Sequence, residues 1–313
     1  MVGTLIVSLD FELFWGMHDC STLEEYGKNI LGGREAIPAM LKLFRQHGIH
    51  ATWASVGLLF ANSVAELSPY LPECIPTYAN AALSPYPFLS NISEGDPYYF
   101  APDLLEKISQ IPGQEIGSHS FCHYYCREEG QTPEQFREDM KAALSIGKDR
   151  GYTLKSVVLP RNQSEPEYTA VLRDLGYNSY RDEENDWIHE KIKFRPLMRI
   201  LRLMDVYLPL TGHGCFTPKD EEGIVNIVGS RMYKPKFIGL LEPLKMRRIK
   251  KQMLYAAKHD LCFHLWWHPH NVGVDTDYHL RQLEKISSYY DKLRETYGMR
   301  SLNMGEVATE VLG

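Results

Sequence analysis

The chain has 313 residues, of which 44% are hydrophobic and 24% charged, and a net charge of −6. That length can bury a substantial core, and the acidic balance speaks against nucleic-acid binding, which calls for a basic surface. No apolar run approaches the length of a membrane span, so no transmembrane segment is expected.

The first apolar run, TLIVSLD (4–10), reads as a buried strand that ends on two carboxylates, Asp10 and Glu12. Residues two apart on a strand share a face, and two buried acids there need a cation or donors beside them. The start lacks a basic region and runs straight into the acids, which marks a core strand rather than a signal peptide. With six scattered cysteines (Cys20, Cys74, Cys122, Cys126, Cys215, Cys262), the expectation is reduced thiols in a cytoplasm. GREAIPAMLKLFRQHG places Ile37, Met40, Leu41 and Phe44 at helical spacing and closes at Gly48. The strand HATWASV (50–56) follows. Residues 61–103, rich in Pro, Ser and Tyr, read as a long loop insertion, a kind of segment that often carries function.

QEIGSHS (114–120) is the third strand and opens into HSFCH, where His119 and His123 stand four apart. Neutral imidazole is a common metal ligand, and two histidines with one carboxylate and open positions for water make a hydrolytic metal site. Cys122 and Cys126 form a lone C-x3-C and are read as incidental. TPEQFREDMKAALSIGKDRG predicts a helix with Thr132 as N-cap and Pro133 in its first position. KSVVLPR (155–161) puts Arg161 at a strand exit, and YNSYRD (177–182) is a further strand. Residues 183–225 read as a second irregular insertion, followed by the strand NIVGSRM (226–232).

EPLKMRRIKKQMLYAAKHD predicts a helix with a dense basic run: Lys245, Arg247, Arg248, Lys250 and Lys251. A solvated face is the plain reading of such a run, and peripheral contact with a phosphate or an anionic membrane is the alternative. In LCFHLWWH (261–268), His264, Trp266 and His268 share a face by alternation. His268, at the strand end, is better placed for chemistry than the deeper His264, while His270 and Asn271 follow in the loop. A long amphipathic helix, YHLRQLEKISSYYDKLRETYG, and the strand RSLNM (300–304) complete the pattern.

Strands alternating with helices over this length predict an α/β barrel of parallel strands, one domain spanning 1–313 with insertions at about 61–103 and 183–225. Active sites in such barrels form at the C-terminal ends of the strands. Four chain-distant strand ends carry Asp10 and Glu12, His119 and His123, Arg161, and His268. A metal ion held partly by the histidines and helped by Arg161 would supply the charge that the two acids require. His18 and Asp19, in WGMHDC, either line the site or belong to a polar loop.

With these motifs in this order, the sequence resembles the polysaccharide deacetylase family of carbohydrate esterases. SLDFE is similar to the family's first motif, HSFCH to its H-[S/T]-x-x-H metal pair, ATWASVG to the strand between them, LPRNQ to the third motif and HLWWHP to the last. The resemblance implies a distorted (β/α)7-type barrel. It further implies Asp10 as general base, Arg161 orienting it, His268 as general acid, and Glu12, His119 and His123 around a divalent metal, with zinc the ion that the histidines favour. The sequence departs from the family where adjacent aspartates become Asp-Phe-Glu. That leaves open whether Glu12 or Asp10 is the metal carboxylate, and His264 and His270 stay beside His268 as candidates for the acid. The implied reaction is removal of acetyl groups from an N-acetylated sugar or glycan precursor. Hydrolysis of a small cyclic amide or ureide on the same barrel, without need of metal, is the second reading, and a non-catalytic carbohydrate-binding barrel the third. No residue is assigned to substrate binding.

Overall fold

One ten-stranded sheet organises the computed structural model, which describes residues 2–183, 187–192 and 194–313. Residues 184–186 and 193 of the 183–225 insertion lie outside the described residues. The strands are β1 (Thr4–Phe11), β2 (Ala51–Ser55), β3 (Gln114–Ser118), β4 (Ser156–Val158), β5 (Ser179–Arg181), β6 (Lys219–Asp220), β7 (Val225–Asn226), β8 (Arg231–Met232), β9 (Cys262–Trp267) and β10 (Arg300–Leu302). They lie in the order β6-β7-β5-β4-β3-β2-β1-β9-β8, with β10 also on β1, and every pairing is parallel except β6 with β7. β1 is buried along its whole length, which is why it reads as a near-continuous apolar run rather than an alternating one.

Residues 226–232, a single strand in the sequence pattern, fall in two short strands, β7 and β8, with a crossing between them. The N–H groups of Ile227 and Gly229 donate to the carbonyls of Tyr180 and Asp182 (2.9 and 3.3 Å), and that of Ser230 donates to His264 O at 3.0 Å. The segment thus leaves β5 and joins β9, and the sheet curls into the distorted barrel that the motif order implies.

The helices are α1 (Leu23–His47), α2 (Val64–Leu67), α3 (Pro102–Ser109), α4 (Pro133–Asp149), α5 (Pro166–Asp174), α6 (Trp187–Lys191), α7 (Arg195–Tyr207), α8 (Glu242–His259), α9 (Thr276–Tyr297) and α10 (Met304–Leu312). Thr22 and Glu25 cap α1 reciprocally, and Gly48 ends it in the left-handed conformation. Its buried stripe drives Phe44 between Trp53 and Trp267, with ring centroids 6.3 and 6.2 Å away. Gly32 and Gly33 let α1 press on the turn after β9: a Cβ on Gly33 would stand 2.8 Å from the His270 backbone. α4 starts where the sequence predicts, with Thr132 and Gln135 forming a capping box. The second insertion is not irregular throughout, since it holds α6 and α7. Among the described residues no helix is long and apolar enough to cross a membrane.

Candidate active site

At the C-terminal ends of β1 and β3, three side chains meet around one oxygen. Glu12 Oε2 lies 3.2 Å from His119 Nε2 and 3.1 Å from His123 Nε2, and all three residues are buried. The Val158 carbonyl can only accept, so His119 donates to it through Nδ1 at 2.7 Å. Nε2 is therefore the nitrogen turned toward the carboxylate. Burial, partly offset by Glu12, pushes His123 down to about 4, which keeps it neutral at pH 7. Burial opposes the Glu12 charge, but the surrounding His268, His119 and His123 hold its carboxyl well below the ordinary range. Two ring nitrogens and a carboxylate oxygen placed in this way are the donor atoms that a divalent cation takes. The ligand atoms of the three residues fall within 4.8 Å of one another, so the set fits a divalent ion with N,N,O ligation.

Asp10 belongs to a second, separate pairing. Both of its oxygens accept from Arg181, Oδ1 from Nη1 and Oδ2 from Nη2, each at 2.7 Å. Burial alone would raise Asp10; Arg181, then His268 and His119, bring it below its ordinary value. Arg181 ends β5, buried to 1% exposure. Its Nη1 also donates to Ser8 Oγ (2.9 Å), its Nε to Asn162 Oδ1 (2.9 Å), and its guanidinium lies 4.2 Å from the Trp266 ring centre.

This corrects the expectation for Arg161. The apolar strand before it stops at Val158, and Pro160 opens a turn in which Arg161 takes φ 56°. Its side chain swings to the rim, 44% exposed, and donates to Asp19 (2.5 Å) and Glu128 (2.8 Å) over the Tyr125 ring. The next residue, Asn162, is the one that reaches inward to brace Arg181.

The three C-terminal histidines separate by environment. His264 is fully buried: Nδ1 donates to Val228 O at 3.2 Å, and Nε2 therefore accepts from Ser8 Oγ at 2.8 Å. Burial, then the nearby Arg181 charge, drive it down to about 3. It is a neutral wall of the Arg181 network. His270, buried and stacked on His268 at 4.9 Å, is likewise pushed to about 3, first by burial and then by His268. His268 reaches the cavity. Its Nδ1 donates to Asn271 Oδ1 (3.2 Å), and its Nε2 faces Asp10 Oδ2 and Glu12 Oε1, each at 3.6 Å.

Supporting residues explain how these side chains converge. The turn after β3 leaves its N–H groups without ladder partners, and the buried Asp139 of α4 accepts from Phe121 N (2.7 Å) and Cys122 N (3.1 Å). Burial raises Asp139 to about 6. Gly16 makes room for Glu12, because a Cβ there would sit 2.1 Å from the Glu12 carboxyl carbon. Among the described residues eight non-glycines have positive φ, and five of them (Leu13, Ser120, His123, Arg161, Asn162) flank the site, where such strain concentrates. Arg181, Asn162, Asp139 and Gly16 were not singled out in the sequence. Arg181 carried one signal, a charged residue two after Ser179 on an inward strand face; Asp139 carried another, an acid on the apolar stripe of its helix. His18, which contacts the Trp15 and Leu83 carbonyls, lies in a side wall, and Asp19 pairs with Arg161.

These groups line a cavity of about 290 Å³ that includes Asp10, Glu12, His119, His123, Arg161 and His268. The fold is an α/β barrel with a cluster of carboxylates and histidines at the strand C-termini. Residues 25–180 match the polysaccharide deacetylase family model, a span holding His119, His123 and Arg161 but ending one residue before Arg181. The chain belongs to the polysaccharide deacetylase family, hydrolases that act on C–N amide bonds. A Mycobacterium smegmatis protein assigned as a polysaccharide deacetylase is similar in structure, with a TM-score of 0.63 and 9% identity over 99% of this chain and 90% of that one. One from Pseudomonas aeruginosa PAO1, assigned likewise, gives 0.59 and 12% over 98% and 90%. The PuuE allantoinase gives 0.59 and 12% over the same shares. No curated protein matches the sequence.

Proposed function

We propose that the protein hydrolyses the acetamido group of an N-acetylated sugar or glycan precursor, using a divalent metal held by Glu12, His119 and His123. Zinc suits a donor set of two imidazoles and one carboxylate. The observation that carries the reading is the convergence of both Nε2 atoms on Glu12 Oε2, beside an Arg181-locked Asp10. A bound metal supplies Lewis acidity and makes water more acidic. Asp10, kept ionised and aimed by Arg181, takes the proton of water as its oxygen adds to the acetyl carbonyl. His268, oriented by Asn271, gives its Nε2 proton to the departing nitrogen, which would leave poorly as an amide anion. The C–N bond breaks, and acetate and a free amine result. Six unpaired cysteines, three of them buried, support a reducing compartment such as the cytoplasm.

A cavity of about 290 Å³ admits little more than one sugar unit, and this favours hydrolysis of a small cyclic amide or ureide as the second reading. The test compares metal content and acetate release from N-acetylated chito-oligosaccharides for untagged wild type and His119→Ala/His123→Ala. About one ion per chain, lost with activity in the variant, is expected. A wild type that takes up no zinc, or that cleaves ureides but no acetamide, would overturn the proposal. His268→Ala should slow amide hydrolysis far more than hydrolysis of an activated acetyl ester; equal losses would remove its role as acid.

A further inference from the structure

Helix α7 leaves much of its apolar surface exposed. Its buried side carries Asp205 beside Val206 and Tyr207, and Asp205 accepts from Arg248 Nη2 (2.8 Å), Arg231 Nη2 (3.3 Å) and Thr211. Its exposed side carries Leu197, Ile200 and Met204, spaced three and four apart on one face, with Phe194 before them at 68% exposure. The loop between β8 and α8 does the same, with Phe237 71% and Leu240 92% exposed on either side of Gly239. The two surfaces adjoin: Tyr207 meets the Ile238 backbone, and Arg248 donates to the Leu208 carbonyl.

The basic run of α8 divides at this surface. Lys245 and Arg248 are buried on Glu242 and Asp205 and offer no charge outward. Arg247, Lys250 and Lys251, with Lys285 of α9, line a groove of about 670 Å³ that begins at Gly239 and Pro243, directly beside the apolar loop. The acid in that groove, Glu242, is already neutralised by Lys245 and accepts from the Tyr278 hydroxyl. Nearby acids of α9 face elsewhere, Glu284 and Asp291 toward His47. Both apolar surfaces follow the C-terminal ends of parallel strands, β5 and β8, and Met232 at the end of β8 lines the active-site cavity.

We propose that this face, α7 and the 237–244 loop with the α8–α9 cations beside it, docks on an anionic lipid bilayer. Protruding apolar side chains flanked by cations that form no ion pair among the described residues match the layered chemistry of a membrane interface, acyl boundary below and lipid phosphates around it. A second copy of the chain is a poorer occupant, since a two-fold pairing would set this cationic groove close to its own image. The inference concerns docking alone and does not depend on which bond the site cleaves.

Cosedimentation with vesicles of phosphatidylcholine and phosphatidylserine, against phosphatidylcholine alone, tests it. The full chain should bind the anionic vesicles, weaken with added salt, and ignore the neutral ones. Phe237→Ser/Leu240→Ser should lower affinity about tenfold or more, and Lys250→Glu/Lys251→Glu should abolish the lipid-charge dependence, with unchanged melting. Absence of vesicle binding, or binding indifferent to the Phe237/Leu240 change, would overturn the proposal. So would a dimer that the same change dissociates in a protein that ignores vesicles, because the face would then be a protein interface.

Discussion

Replacing Arg181 by Met or Lys, with Arg161→Met as comparison, tests which guanidinium governs Asp10. Arg181 is buried and engages both Asp10 oxygens at 2.7 Å, so Met leaves a buried carboxylate without its cation. Breaking a buried pair in this way costs about 3–5 kcal/mol. Ser8 Oγ and Asn162 Oδ1 lose a donor as well. The Asp10 pKa must also rise, because burial is the largest influence on it and only the lowering charges offset it. A general base acts ionised, so the acidic limb of the pH–rate profile should move to higher pH in Arg181→Met and less far in Arg181→Lys, which keeps the charge but not the fork. Arg161 is 44% exposed; its pair with the partly exposed Glu128 is worth about 0–1 kcal/mol, while its loss leaves the buried Asp19 carboxylate, not Asp10, without its cation. Arg161→Met should leave the acidic limb in place and act mainly through KM. Thermal unfolding with pH–rate profiles of the three variants decides the matter. A shifted limb in Arg161→Met with an unshifted one in Arg181→Lys and Arg181→Met would refute the assignment.

Gly16→Ala should cost metal affinity without touching a ligand, since its Cβ would fall 2.1 Å from the Glu12 carboxyl carbon. Displacing a supporting contact of this kind costs about 10–100-fold in affinity, measurable by competition with a chelator, and unaltered affinity would show that the turn yields instead. Asp139 gives a pH signature. Its folded pKa of about 6 lies above the ordinary 3.8, so the folded state binds the proton more tightly. Its contribution to stability is therefore greatest at low pH and declines as pH rises toward 6, by roughly 3 kcal/mol at ~1.4 kcal/mol per pH unit. Asp139→Asn should thus be more destabilising, relative to wild type, at pH 4 than at pH 7 in urea unfolding; a pH-independent difference would refute it.

The local pattern of the sequence determined the strand ends that matter. Apolar runs that finish on Asp10 and Glu12, His119 and His123, and His268 are legible because burying such groups without partners is costly, so they mark a shared polar centre. Parallel order followed from the alternation of strands and helices. The structure then chose among the histidines: carbonyl and hydroxyl partners bury His264 as a neutral wall, while His268 alone of the three reaches both acids. It also chose between two arginines at strand ends. Arg161 and Arg181 look alike in one dimension, and only the left-handed turn after Pro160 sends the first to the rim and leaves β5 to deliver the second. Asp139 and Gly16 act on residues 17 or more and four positions away through space and sterics, which periodicity does not encode. The same holds for α7. Residues 183–225 read as irregular in sequence, and only the tertiary structure shows a helix there with Asp205 on the inside, where Arg231 and Arg248 meet it.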